Sequence, residues 1–294
     1  MPTFTPAPFD YYAVKSLDEA IAMLKENEDA KVIAGGQSLL PMMKLRLLTP
    51  RILIDIGKIP GLNYIKEEGN ELAIGALTTH DDIAISELVK SKCPLLSEAA
   101  SKIADQQIRN RGTIGGSISH ADPAADYLPT LLVLGAKVVT KGPNGERIIE
   151  AKDFFIDVFT TALEEAELVR EVRVPVMEEK AGYAFMKFIK REQEFATINV
   201  AIILSLDEND VVKDVRIGLG AVGPKPIRAK KVEEMLLGKK ISKELIEEAS
   251  QYADEGTDPP SDVHASAEYR RHLTKVMTRR GLLKALERIR GGSI

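Results

Sequence analysis

The sequence predicts an α+β protein of about two domains, and three observations support this fold class. The chain has 294 residues, of which 44% are hydrophobic, and this is enough to fill more than one core. Residues 1–57 alternate between short strands and helices, whereas three consecutive strands followed by helices fill the region beyond residue 177. We predict domains over residues 1–176 and 177–294, with the first divided into lobes at about residues 1–57 and 58–176.

Apolar periodicity and turn residues predict the elements in chain order. In the first domain, we predict strands at residues 31–34, 52–56, 71–77 and 167–174, and a hairpin about residues 142–145. We predict helices that begin after caps at Ser16 and Thr79, one helix over residues 94–108 and one that begins at Asp122 and Pro123. In the second domain, we predict a three-stranded antiparallel sheet (residues 183–190, 196–206 and 211–222) and helices over residues 229–237, 242–253 and 266–290.

Composition excludes several classes of function. The net charge of −4 offers no general field for nucleic acid, and no apolar run approaches the ~20 residues of a membrane span. The first residues lack a basic region followed by an apolar one, so we expect no signal peptide and a cytoplasmic location. The single cysteine, Cys93, cannot ligate an iron–sulfur cluster alone, and the four histidines are scattered. Redox chemistry in this chain therefore requires an organic cofactor, and no metal site is predicted.

Two glycine pairs are the main candidate binding motifs. Gly35-Gly36 follows the strand at residues 31–34, and Gly115-Gly116 follows Thr113 and Ile114. Glycine permits tight turns whose main-chain N–H groups cradle an anion, although it is also the ordinary residue of any turn. Neither pair fits the Rossmann or P-loop pattern. Because hydroxyl residues accompany both pairs, we favour two turns that grip two phosphates of one ligand.

Three charged residues near the second glycine pair have two interpretations each. The carboxylate of Asp126 either accepts a hydrogen bond from a ribose or ribityl hydroxyl or is a solvated acid in a first helical turn. Arg109 and Arg111 either offset phosphate charge or are exposed at the end of a helix. Local sequence leaves both pairs of interpretations open.

Three motifs together resemble one protein family. These are Ala-Gly-Gly-Gln-Ser-Leu at residues 34–39, Thr-Ile-Gly-Gly-Ser at 113–117 and His-Ala-Asp-Pro-Ala-Ala-Asp at 120–126. They resemble the FAD-binding medium subunit of the molybdenum hydroxylases, which include carbon monoxide dehydrogenase, aldehyde oxidoreductases and xanthine dehydrogenase. The resemblance extends from residues 9–12 to residues 266–271 and is strongest to archaeal aldehyde or glyceraldehyde oxidoreductase medium chains. It implies a two-lobed FAD-binding domain of the vanillyl-alcohol-oxidase (PCMH) type and a C-terminal α+β domain.

The resemblance also implies which residues contact FAD. Both glycine turns hold the diphosphate, Asp126 and Thr113 supply polar contacts, Lys187 lies near the flavin, and Phe195 replaces a tyrosine beside the flavin ring and so removes its hydroxyl. The full implied set is Val32, Ile33, Ala34, Gly35, Gly36, Gln37, Ser38, Leu39, Thr79, Ile103, Thr113, Gly115, Gly116, Ser117, Asp126, Val169, Lys187 and Phe195. No catalytic side chain and no metal ligand are expected in this chain.

The family implies partners as well as a cofactor. Electrons would reach FAD from [2Fe–2S] clusters on a small subunit, after substrate oxidation on a large molybdopterin subunit, and leave for an external acceptor. This arrangement is a heterotrimer. Two alternatives remain at this point: a stand-alone FAD-dependent reductase of the UDP-N-acetylenolpyruvoylglucosamine reductase type, and a non-catalytic assembly subunit whose glycine turns are structural.

Overall fold

The computed structural model describes residues 5–291, and its first lobe is a small parallel sheet with two helices. The elements are β1 (Asp10–Ala13), α1 (Leu17–Glu26), β2 (Ala30–Ile33), α2 (Leu39–Lys44) and β3 (Ile52–Asp55), with strand order β1-β3-β2. Ser16 caps α1 as predicted, because its hydroxyl accepts a hydrogen bond from the N–H of Glu19 at 3.1 Å. Strand β1 was not predicted, since its four residues are exposed and show no buried alternation.

The second lobe is a five-stranded antiparallel sheet covered by short helices. Its elements are β4 (Ile65–Glu68), β5 (Glu71–Gly75), α3 (His80–Ile85), α4 (Glu87–Lys92), α5 (Pro94–Ser101), α6 (Gln106–Arg109), α7 (Ile114–His120), α8 (Tyr127–Leu134), β6 (Lys137–Gly142), β7 (Gly145–Glu150), α9 (Ala151–Phe154), β8 (Phe155–Asp157), β9 (Thr160–Thr161) and β10 (Leu168–Pro175). The main sheet has the order β4-β5-β10-β6-β7, and β8 pairs with β9. The predicted hairpin is confirmed, with a two-residue loop between β6 and β7.

Three helix predictions in this lobe are wrong in their extent. The predicted helix after Thr79 is divided into α3 and α4 at Ser86, whose hydroxyl accepts from the N–H of Val89 and so caps a new helix. The predicted helix over residues 94–108 is divided into α5, which ends at Ser101, and α6, which begins at Gln106; between them Ala104 adopts a positive φ of 40°. No helix begins at Pro123, since the carboxylate of Asp122 accepts from the N–H of Ala124 and closes a turn instead.

The C-terminal region is an antiparallel sheet followed by three helices. Its elements are β11 (Gly182–Phe188), β12 (Ile198–Leu206), β13 (Val212–Gly220), β14 (Ile227–Arg228), α10 (Lys230–Leu236), α11 (Lys243–Ser250) and α12 (Ala267–Ile289). The α+β class is confirmed, but the sheet has four strands rather than three. The fourth strand, β14, has only two residues, too few to show any periodicity.

Both faces of the C-terminal sheet are covered, and this fixes its position on the second lobe. One face packs on α10, α11 and α12 around residues such as Ile202 and Leu282. The other face places Phe185, Ala201 and Ile203 in the same core as helices α5 and α8. Residues of β11 and β12 therefore reach the second lobe. Within residues 5–291, no helix has the length and apolar character that crossing a bilayer requires.

Candidate functional site

A cavity of about 680 Å³ is lined by residues from both lobes and from the C-terminal sheet. Its volume lies in the range of pockets that hold small molecules and cofactors. Every residue of the set implied by the family resemblance lines this cavity except Thr79. The structure thus brings together positions that lie as far apart in the chain as Val32 and Phe195.

The first glycine motif forms an open loop between β2 and α2. Gly36 has a φ of +74°, which glycine adopts readily and other residues do not. Among the described residues, no acceptor pairs with any backbone N–H from residue 35 to residue 39. The hydroxyl of Ser38 makes no capping hydrogen bond to α2. A run of successive unpaired N–H groups beside a free hydroxyl is the donor set that binds phosphate.

The second glycine motif differs from the predicted turn, because Gly115 and Gly116 lie in the first turn of α7. The N–H of Gly115 donates to the carbonyl of Ala76 at 2.9 Å, and that of Gly116 donates to Oγ1 of Thr113 at 3.1 Å. These N–H groups are therefore already paired within the protein. A Cβ on Gly115 would lie 2.7 Å from the Ala76 carbonyl oxygen, so this glycine is required for close packing of α7 on the sheet.

The two glycine motifs lie against each other. A Cβ placed on Gly35 would lie 2.0 Å from the carbonyl oxygen of Arg111 and 2.8 Å from Cα of Gly112, directly before the second motif. On Gly116, a Cβ would lie 4.0 Å from the Cβ of Ala34. Both motifs therefore border one cavity, with the first supplying free donors and the second supplying a close-packed helix.

Asp126 and Lys187 form a buried ion pair in the cavity wall. The ammonium of Lys187 lies 2.6 Å from Oδ2 of Asp126 and also donates to the carbonyl of Lys102 at 2.9 Å. The amide of Asn199 donates to the second carboxylate oxygen, Oδ1, at 2.9 Å. Burial raises the pKa of Asp126, while Lys187 and Asn199 act in the opposite direction. Neither interpretation of Asp126 from local sequence anticipated this pair.

Two segments supply apolar parts of the cavity wall. Ile103 and Ala104 lie in the loop after α5, and Val169 lies at the start of β10. Arg109 fixes the loop after α5, since its Nη1 donates to the carbonyls of Ile103 and Ala104 at 2.9 and 3.0 Å. Neither Arg109 nor Arg111 lines the cavity, so the structure does not support the interpretation that they offset phosphate charge.

The loop between β11 and β12 contributes the exposed aromatic ring of Phe195 to the cavity. Gln193, in the same loop, adopts a positive φ of 70° and also lines the cavity. Phe159 adds a second ring from the β8–β9 turn, where it packs on His120 with ring centroids 4.9 Å apart. Burial lowers the pKa of His120.

Thr79 has a structural position instead of a place in the cavity wall. Its hydroxyl accepts from the N–H of Asp82 while the Asp82 carboxylate accepts from the Thr79 N–H, and this capping box starts α3. The neighbouring His80 does line the cavity, and its Nδ1 lies 3.2 Å from the hydroxyl of Tyr127. Burial lowers the pKa of His80 to about 4, so its ring is neutral at pH 7.

Several lining residues were missed by sequence reasoning. They are mostly apolar or small side chains, including Met42, Leu48, Ala76, Phe159 and Leu168. In sequence such residues have the same pattern as ordinary core positions, so no local signal separates a cavity wall from a core. Asn199 contacts the site from a strand in which every residue but the last is buried, and for the same reason it gave no signal.

These residues fit FAD. The free N–H groups at residues 35–39 match a diphosphate, and the apolar segments with Phe195 match a flat ring system. A dinucleotide needs both kinds of surface in one cavity, and the cavity supplies both.

The fold and the cavity define a class of protein, the flavin-binding subunits of molybdenum-containing dehydrogenases. Residues 7–177 match the family described as "FAD binding domain in molybdopterin dehydrogenase", and residues 183–285 match the "CO dehydrogenase flavoprotein C-terminal domain". The chain belongs to this family of FAD-binding medium chains. The family and fold class predicted from the motifs are thereby confirmed.

Similar proteins align over nearly the whole chain. The glyceraldehyde dehydrogenase medium chain of Sulfolobus acidocaldarius is 40% identical over 93% of this chain and 96% of its own length. The carbon monoxide dehydrogenase medium chain of Hydrogenophaga pseudoflava is 41% identical over 96% of this chain and 99% of its own. The solved carbon monoxide dehydrogenase from that organism superposes with a TM-score of 0.94, covering 97% of this chain and 99% of that one, at 41% identity.

The stand-alone reductase predicted as an alternative lacks comparable support. The UDP-N-acetylenolpyruvylglucosamine reductase of Thermus caldophilus covers 57% of this chain at a TM-score of 0.33 and 15% identity, which is too low to carry an argument. The matches to oxidoreductase medium chains favour the prediction of an electron-transfer subunit over both alternatives.

Proposed function

We propose that this chain is the FAD-carrying electron-transfer subunit of a molybdenum-containing hydroxylase of the aldehyde or carbon monoxide dehydrogenase type. The observation that carries the proposal is the run of five unpaired N–H groups at residues 35–39, in a cavity that both glycine motifs border. The family match supports FAD as the ligand. An assembly subunit with purely structural glycines would have no use for such a donor set.

In this proposal, each part of the cavity has its own task. The N–H groups of residues 35–39 and the hydroxyl of Ser38 bind the diphosphate, and Ser117 and Thr113 border it. The loop at Ile103, the start of β10 at Val169 and the ring of Phe195 hold the flavin and exclude water. Bound FAD supplies the electron-transfer chemistry, while the protein binds it and orients its edge. The cofactor-binding set is the predicted one without Thr79.

Partners supply the remaining redox centres in this proposal. The chain has one cysteine, Cys93, which is buried, so clusters must be held by another chain. The relatives are medium chains, a name that indicates larger and smaller companions. We propose a heterotrimer with a small [2Fe–2S] subunit and a large molybdopterin subunit that binds the substrate. The domain boundary near residue 177 belongs to the same proposal, and the cytoplasmic location stays a prediction.

The test is FAD binding by the purified chain, followed through its visible spectrum. Replacing Ser38 with Asp keeps a side chain that suits a helix N-terminus but puts a carboxylate beside the proposed diphosphate. Like charges about 4 Å apart repel by about 4 kcal/mol in a partly buried site, so we expect the affinity for FAD to fall at least ten-fold. Ser242→Asp is the matched control, because Ser242 caps α11 and does not line the cavity.

Two results would contradict the proposal. One is a folded wild-type chain without flavin absorbance after incubation with FAD, and the other is unchanged affinity in Ser38→Asp. A Gly116→Val variant is a less selective probe, since a Cβ there would lie 2.9 Å from Oγ1 of Thr113 and disturb the cap of α7. Molybdenum and iron that copurify with the chain from its source would support the three-subunit assembly.

A further inference from the structure

Asp126, Lys187 and Asn199 form a buried triad that joins the second lobe to the C-terminal sheet. Lys187 on β11 and Asn199 on β12 are directly paired in the sheet register, so both side chains leave the same face. Asp126 precedes α8 and receives both of them, at 2.6 and 2.9 Å. The side chains of Asp126 and Lys187 are 4% and 7% exposed. Two of the three members therefore come from the C-terminal sheet.

Both charges of the triad lie in the cavity wall. Lys187 uses one N–H on Asp126 and another on the carbonyl of Lys102. An ammonium has three donors, so one remains after these two contacts. Because a carboxylate lies 2.6 Å from the ammonium, the field of Lys187 inside the cavity is that of an ion pair and not that of a free cation.

Asn199 fixes the direction of this pair. Its Nδ2 donates to Oδ1 of Asp126 and, at 3.4 Å, to the carbonyl of Ala124, so each carboxylate oxygen has its own partner, Oδ1 with Asn199 and Oδ2 with Lys187. A Cβ on the paired residue Gly220 would lie 2.1 Å from Oδ1 of Asn199. Only glycine on β13 leaves room for the amide at this point. The neighbouring strand is thus shaped to keep Asn199 in place.

We propose that Asp126 is the counter-ion of Lys187 and that the triad sets the reduction potential of the bound FAD. The inference rests on the proposed function, since it needs FAD in the cavity. Reduction adds negative charge to the cofactor, so a bare ammonium in the wall favours the reduced form and its counter-ion moderates this preference. The C-terminal sheet thereby controls the electron affinity of a cofactor held mainly by the two lobes.

The experiment measures the midpoint potential of FAD bound to the full-length chain, with the affinity for oxidised FAD as a second readout. Asp126→Asn keeps the size of the side chain and an oxygen for Lys187 but removes the negative charge. We expect the equilibrium to shift at least ten-fold toward the reduced form, which is about 30 mV for a two-electron couple. Lys187→Met should shift it at least ten-fold in the opposite direction.

The double variant, Asp126→Asn with Lys187→Met, removes both charges. We expect its equilibrium constant for FAD reduction to lie within three-fold of that of the wild type. Glu98→Gln is the matched control. It uncovers Lys284 and Arg288 of α12, which Glu98 binds at 2.6 and 2.7 Å between the second lobe and the C-terminal helices, but none of these three residues lines the cavity. Its potential should equal that of the wild type.

A purely structural triad would change the affinity for FAD or the stability without opposite shifts of the potential. An unchanged potential in flavin-loaded Asp126→Asn overturns the inference while leaving the proposed function intact. If the wild-type chain binds no FAD, the proposed function and the inference both fail. If Lys187→Met does not fold, Asp126→Asn against Glu98→Gln still decides the question, because both replacements preserve side-chain size.

Discussion

Glu167 offers the sharpest test of how the cavity wall is held together. Its buried carboxylate accepts from Nε and Nη2 of Arg147, both at 2.6 Å, from the N–H of Glu164 at 2.7 Å and from the hydroxyl of Thr140. Glu167 lines the cavity and directly precedes β10, whose first residues form part of the same wall. The perturbation is Glu167→Gln, which places an amide among these donors.

The magnitude follows from the pKa of Glu167. Burial acts to raise it, but the hydrogen bonds from Arg147, Thr140 and Glu164 lower it from 4.5 to about 2. A shift of this size contributes at most about 3 kcal/mol to the free energy of unfolding. Because Arg147 is partly exposed, water screens its charge and reduces this contribution. Because the folded-state pKa is the lower one, this contribution is complete above pH 4.5 and is lost as the pH falls through 2. At pH 3, about 1 kcal/mol of it remains.

The assay is urea unfolding followed by circular dichroism, since the chain has no tryptophan to report on unfolding by fluorescence. We expect Glu167→Gln to cost 2 to 3 kcal/mol at pH 7, roughly the scale of breaking a buried charged pair, and clearly less at pH 3. Glu150→Gln, which removes an exposed partner of Lys152, should cause little change at either pH. A destabilisation of Glu167→Gln that is equal at pH 7 and pH 3 would refute the reasoning.

Two further predictions concern packing. Gly35→Ala should destabilise the chain by about 2 to 4 kcal/mol, because its Cβ would lie 2.0 Å from a backbone oxygen. The measurement is thermal unfolding, and the control is Gly223→Ala, whose Cβ would have no atom nearer than 3.6 Å. Equal melting temperatures of the two variants would contradict the packing argument. Burial raises the pKa of Cys93 to about 12, so iodoacetamide should alkylate it at pH 8 only after urea unfolds the chain, and rapid labelling of the folded protein would show that this thiol is accessible.

Local signals predicted the elements whose hydrogen bonds close within a few residues. The caps at Ser16 and Thr79 and the two-residue hairpin loop all belong to this class. The same reasoning was wrong where a distant partner competes. Gly115 and Gly116 resemble a turn locally, but the carbonyl of Ala76, directly after β5, and the side chain of Thr113 accept from their N–H groups, and both glycines lie in the first turn of α7.

The site shows the same division. The motifs identified the family and, through the resemblance, nearly half of the cavity-lining residues, and the first glycine loop needs only local conformational freedom to expose its donors. They did not predict that Arg109 binds carbonyls rather than facing the cavity, because this depends on the path of the loop after α5.

The sequence by itself determined the fold class, the family and the loop at residues 35–39, because backbone freedom and hydrogen bonding over a few residues are encoded where they act. Only the tertiary structure decided the environment of Asp126, whose partners Lys187 and Asn199 lie 61 and 73 residues away. Packing of the C-terminal sheet on α5 and α8 brings these groups together. Asp126, which local sequence allowed to be a solvated acid, is therefore buried in an ion pair with Lys187. Long-range electrostatics of this kind depends on distances that a sequence does not contain.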